Sequence, residues 1–165
     1  MTRILFPPVL LAMALYAGCD KPVSEPKDEG SPQPKLRTMK LWVGPEEMTV
    51  ELALTPQQQQ NGMMFRTNLE ETAGMFFPLP FTQRASFWMK NCPLALSAAY
   101  IDPEGVIQEI HDFQPHNTNA VVAASHNIRF VLETSQGWFK RHNVRPGMLV
   151  RTERGTLMET FFTRR

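Results

Sequence analysis

Leu96-Ser97-Ala98-Ala99-Tyr100-Ile101, then Asp102-Pro103-Glu104-Gly105, then Val106-Ile107-Gln108-Glu109-Ile110-His111: two strand-like runs flank four turn residues. Pro103 presets φ near the value a turn needs, and Gly105 tolerates backbone conformations closed to other residues. The stretch reads as a β-hairpin. Upstream, residues 85–89 and 74–78 read as short buried strands, and residues 49–54 alternate polar and apolar as a half-buried strand does. Between them, Thr55-Pro56-Gln57-Gln58 carries a cap, a proline at the first helical position and a capping-box partner, so a short helix starts there and ends at Gly62. Downstream, residues 112–127 read as a long polar loop, 128–134 as a strand and 135–142 as a short helix closed by Asn143. Residues 148–151 and 156–162 read as a last hairpin around Glu153-Arg154-Gly155. The expected fold class is mainly β (α+β): a small single-domain barrel or sandwich-like antiparallel fold with one or two short helices.

The 165 residues suffice for one domain, expected over residues 38–165. A formal net charge of +1 gives no electrostatic reason to expect nucleic acid as a partner. Residues 1–19 read as a leader: Arg3, an uncharged apolar run too short to span a bilayer, then Ala17-Gly18-Cys19. Leu-Tyr-Ala-Gly-Cys resembles a bacterial lipobox, with Tyr16 where Leu is usual, and implies acylation of Cys19 and a membrane anchor. Residues 20–37 hold Pro22, Pro26, Pro32 and Pro34 among polar residues and read as a disordered tether. The expected location is the bacterial cell envelope, lipid-anchored and facing the periplasm or exterior.

Five blocks follow one another: Gly-Met-Met-Phe-Arg (62–66), Gly-Met-Phe-Phe (74–77), Phe-Trp-Met-Lys-Asn (87–91), Tyr-Ile-Asp…Gly (100–105) and Val-Leu-Glu…Gly-Trp (131–138). In this order they resemble the family known as domain of unknown function 192. The resemblance implies a small, mainly β domain, often exported, with no agreed activity. Three positions depart from the family's usual pattern: Cys92 stands where Thr is usual, and Ser97 and Met148 replace two carboxylates.

The strand 85–89 runs into Lys90, Asn91 and Cys92, so an aromatic, a cation, an amide and a thiol stand together. Trp88 and Lys90 should share one face and Met89 the other. Arg66, Trp88, Lys90, Asn91, Glu133 and Trp138 are the candidate ligand-binding residues, in a cleft bordered by Trp88, Lys90, Asn91 and Arg66 with Trp138 or Glu133 at its edge. Aromatic faces with a few convergent polar groups suit a small molecule or glycan; the competing reading pairs Arg66 with Glu133 as architecture. Cys92 beside Lys90 is weighed as a nucleophile and set aside, because no histidine stands in a recognisable cysteine-enzyme context. His111, Asp112, His116 and His126 have no dedicated metal spacing, so no metal and no cofactor are expected. The expected function is an envelope-tethered binding or accessory module for a small polar or anionic ligand, a glycan or an envelope partner. The alternatives are an envelope hydrolase or transferase, and a structural accessory protein with no ligand site.

Overall fold

The computed structural model describes residues 30–163. The expected leader, Cys19 and residues 20–29 of the expected tether lie outside the described residues. The described chain is mainly β, as its patterning implies: nine strands and three short helices. Seven strands form one sheet in the order β6 (Ile107–Phe113), β5 (Leu96–Ile101), β8 (Ile128–Ser135), β3 (Ala73–Gln83), β2 (Glu46–Leu52), β1 (Thr38–Val43), β9 (Val150–Thr152). β4 (Ser86–Phe87) and β7 (Val121–Val122) make a separate two-stranded ribbon.

The long sheet curls until its edges meet. The start of β6 and the residues before it bond to the start of β9 and the residues before it: Ile107 N–H donates to Met148 O at 2.9 Å and Val150 N–H to Gly105 O at 2.7 Å. Edge pairing of this kind removes exposed backbone groups from one end of a barrel. The curl leaves two apolar faces. Inside lie Leu41, Val50, Phe76, Phe130, Leu132 and Trp138 with their neighbours. Outside, on β3, β5 and β8, lie Met75, Phe77, Leu96, Tyr100 and Val131, covered by the loops around Met63, Met89 and Cys92. Alternation along a strand assigns the faces: on β8, Leu132 points in while Val131 and Glu133 point out.

The strand pairing departs from the expected antiparallel arrangement at one place. β2 and β3 run parallel, Thr49 opposite Ala73 and Leu52 opposite Phe76. A parallel pair needs a crossover of a dozen or more residues, and residues 53–72, carrying α1 (Pro56–Asn61), supply it. α1 itself starts as its sequence dictates: Thr55 Oγ1 accepts Gln58 N–H, and the Gln58 side chain returns to the Thr55 N–H. α2 (Trp138–Arg141) falls within the expected helix, closed by Asn143 at φ 55°. Its start is fixed by Ser97, whose Oγ accepts Gly137 N–H at 2.8 Å.

Two further expectations need correction. Residues 156–162 form α3 (Leu157–Phe161) and not a hairpin strand, because Thr156 and Glu159 make a reciprocal capping box. Residues 30–37, the end of the expected tether, are held against the domain. Leu36 N–H donates to Glu51 Oε2 at 2.7 Å, and Gln33 Nε2 donates to Gly62 O at 2.8 Å. Composition alone suggested disorder there; the Leu36 backbone and the Gln33 side chain find partners that composition does not reveal.

Candidate functional site

The central block does not continue as a regular strand. Only Ser86 and Phe87 pair, with Val122 and Val121. Beyond them the chain is fastened by single hydrogen bonds: Met89 N–H to Asn117 O at 2.8 Å, Cys92 N–H to Met89 O at 3.1 Å, and His116 N–H to Cys92 O at 2.9 Å. The alternation of faces nevertheless persists. Met89 is 3% exposed and Trp88 46% exposed, with Lys90 also exposed. Lys90 Nζ lies 5.8 Å from the Trp88 ring centroid, a cation–π arrangement on the solvent side.

A second loop meets this one. Gly62 ends α1 with φ 46°, and Phe65 has φ 61° while Asn91 has φ 57°. The Phe65 N–H donates to the Asn91 carbonyl at 2.7 Å, tying the two loops together. A bulky residue in the left-handed region is uncommon and is kept only where surrounding structure imposes it.

Between the loops and the outer face of the sheet is a cavity of about 300 Å³. Its walls include Met63, Phe77, Leu79, Met89 and Leu96, all buried. Trp88, Lys90, Arg84 and Gln60 stand at its exposed mouth. Glu133 lines its depth and is only 4% exposed. Glu133 sits mid-sheet, opposite Met75 on β3 and Ala98 on β5. No hydrogen bond or ion pair to its carboxyl exists among the described residues. Burial pushes this carboxyl up to about 8. The strands approach closely there: a Cβ on Gly74 would stand 2.6 Å from the Glu133 carbonyl oxygen.

Cys92 lines the same cavity but is 3% exposed. Burial pushes its thiol up to about 11, helped by the nearby Glu133, so the thiolate a nucleophile requires is disfavoured. Its side chain packs in the outer cluster with Met89 and Leu96, and the role here is to fill space. Among the described residues no three His, Cys, Asp or Glu side chains gather as metal ligands would.

Three of the six candidate residues therefore line one cavity: Trp88, Lys90 and Glu133. The other three lie outside its lining. Arg66 does not pair with Glu133 but grips Glu51 with both terminal nitrogens, at 2.6 and 2.8 Å. Its Nε is buried with no acceptor among the described residues. Burial raises the Glu51 carboxyl, but the Arg66 bonds, the Leu36 N–H and the Arg66 charge outweigh it and hold it below the ordinary range. Asn91 contributes its backbone carbonyl to Phe65 and turns the chain. Trp138 is on the wrong side of the sheet: it is 1% exposed inside the barrel, stacked on His142 with ring centroids 4.4 Å apart. The cleft as expected thus needs correction: Arg66, Asn91 and Trp138 do not line it, and Glu133 forms its floor and not its edge.

Met63, Phe77 and Arg84 belong to the cavity and were not singled out in the sequence. Met63 and Phe77 stood inside two of the five blocks, which was the available signal; Arg84 had none. Arg66→Ala should destabilise the protein by about 2 kcal/mol, between the values for exposed and fully buried pairs, because side chains 13% and 16% exposed are only partly screened. Denaturant unfolding measures it, and a loss below about 0.5 kcal/mol would show the pair to be ornamental.

Comparison with known proteins agrees with this architecture. No curated protein matches the chain. A solved structure from Sinorhizobium meliloti 1021, described as a candidate transcription regulator, superposes with a TM-score of 0.69 at 28% identity, covering 73% of this chain and 97% of its own. A protein of unknown function from Novosphingobium aromaticivorans DSM 12444 gives a TM-score of 0.66 at 26% identity, covering 85% of this chain and 99% of its own. The description of the DUF192 family, uncharacterized ACR, matches residues 39–152, which hold all five sequence blocks and every wall of the cavity, and the chain belongs to that family.

Proposed function

We propose that the protein is an envelope-tethered binding module for a small ligand, with the cavity above Glu133 as its site. One observation carries the reading: a carboxyl buried in mid-sheet, without a partner among the described residues, lines a cavity whose walls mix apolar side chains with a few polar ones. An unpaired buried polar group is costly, and a stable protein retains one where a ligand or water completes it. The cavity lies at the small end of the range for ligand pockets. The neutral thiol of Cys92 favours binding over a hydrolase or transferase reading.

A melting-temperature screen over amino acids, amines, sugars and nucleotides tests the site, run on the native protein and on Gln60→Trp. Gln60 is exposed at the mouth, so the substitution should change stability by less than about 1 kcal/mol while obstructing entry. A compound that raises the native melting temperature and not that of the variant supports the site. If no compound separates the two, the cavity is packing space and the structural accessory reading replaces this one.

The tether is the second half of the proposal. Acyl chains on Cys19 would bury methylenes in the bilayer, and residues 20–29 would space the domain from it. Cys19→Ser should release the mature protein into the soluble fraction. Retention of mature-size protein in the membrane pellet would refute lipidation.

A further inference from the structure

The cavity has a polarity: its one acid is at the floor and its two bases are at the mouth. Glu133 is 4% exposed, whereas Lys90 and Arg84 are exposed. The walls between them, Met63, Phe77, Leu79, Met89 and Leu96, offer side-chain hydrocarbon and thioether. Gln59, Gln60, Asn61, Gln83 and Ser86 also line the cavity and offer neutral hydrogen bonds, but a neutral glycan would leave the acid at the floor and the bases at the mouth without charged partners. A simple anion would meet the bases and leave the floor unpaired. We infer that the cavity takes a free α-amino acid, its ammonium group meeting Glu133 at the floor and its carboxylate meeting Lys90 and Arg84 at the mouth. This rests on the reading of the cavity as a ligand site.

A cavity of about 300 Å³ has room for a small amino acid. The side chain then lies against the methionines, whose flexible thioethers adapt to different shapes. Arg84 is positioned by its Nε, which donates to Ala123 O at 2.5 Å, and its terminal nitrogens make no hydrogen bond among the described residues.

Binding an ammonium group requires Glu133 as carboxylate, so a proton leaves Glu133 for the solvent when the ligand enters. The groups around Glu133 do not compete for that proton. Cys92 and Tyr100 are both held neutral by burial, and Met75 and Ala98 beside it on the sheet do not ionise. His111 meets the Tyr100 ring at a tilt and bonds to Glu109, outside the cavity lining, and a Glu133→Gln control separates its contribution. With the free carboxyl near 8, affinity should rise about fiftyfold between pH 6 and pH 8, as the ionised fraction goes from about one in a hundred to about one half.

The test uses the twenty L-α-amino acids and D-alanine, the matching amines without the carboxylate, the N-acetyl derivatives without the ammonium group, and glucose. At least one α-amino acid should raise the melting temperature, more at pH 8 than at pH 6. Its amine and its N-acetyl derivative should bind at least tenfold more weakly. Glu133→Gln should abolish the pH dependence and most of the binding, and Lys90→Gln should weaken the amino acid more than the amine. Hits confined to glucose or other neutral compounds overturn this inference and leave the binding site standing. Amino acids that bind Glu133→Gln as tightly as the native protein overturn it too. Absence of any hit in this set overturns it, and absence throughout the broader screen removes the site itself.

Discussion

Glu133→Gln is expected to make the protein more stable at neutral pH, by about 3 kcal/mol at pH 7. The reasoning is linkage. In the unfolded chain the carboxyl ionises near 4.5, and in the folded protein burial holds it up to about 8. Below the lower value both states are protonated and the group's contribution to stability is fully present. As pH rises above it, the unfolded state releases its proton and the folded state does not, so stability falls by about 1.4 kcal/mol per pH unit. Above the folded value both are ionised and the loss is complete. Glutamine has the same shape and cannot ionise, so the variant escapes this loss. The difference between the two proteins should be near zero at pH 4.5 and grow toward pH 8. The ordinary carboxylates are already ionised over most of that window and cancel in the difference. Denaturant unfolding of both proteins at several pH values measures it. A variant less stable than the native protein at pH 7 would mean that Glu133 is ionised and paired in the free protein. The ligand reading would then lose its central observation.

The same residue marks where sequence reasoning stops. Local signals were legible: the capping box at Thr55 and Gln58, the hairpin turn at Asp102-Pro103-Glu104-Gly105, and the alternation that buries Met89 and exposes Trp88 all stand in the structure. Each depends on residues within a few positions of one another. Thr156-Leu157-Met158-Glu159 carried an equally local capping signal, but the apolar run after Gly155 masked it as a strand. The parallel pairing of β2 and β3 is a tertiary fact, although the long connection through α1 is what such a pairing demands. The partners of Arg66 and the face of Trp138 were not legible at all. Glu51 and Glu133 are both acids at reachable positions, and only the register of the sheet decides that Arg66 meets Glu51. Trp138 packs in the inner cluster with Leu41, Phe76 and Phe130, and no spacing in the sequence announces that.

Met89→Ala should cost about 2–5 kcal/mol, while Lys90→Ala should cost less than about 1 kcal/mol. The two residues are neighbours and their fates diverge because the backbone alternates. Met89 is 3% exposed and packs in the outer cluster with Met63, Phe77 and Cys92. Removing its thioether enlarges a cavity that already exists, so the surrounding side chains have little reason to collapse and the full transfer and cavity penalties apply. Lys90 is exposed to solvent, and among the described residues it meets the Trp88 ring at 5.8 Å. Such an exposed cation–π pair stabilises by about 0.5–1 kcal/mol at most. Both variants also bear on binding, in opposite ways. Lys90→Ala removes a charge from the mouth and should weaken a bound carboxylate while leaving the fold intact. Met89→Ala widens the site and should admit larger ligands in a protein that unfolds at lower denaturant. The order of the two stabilities is the deciding measurement. If Lys90→Ala proves the more damaging, the cation is a structural strut, and the mouth of the cavity is not free to receive a ligand.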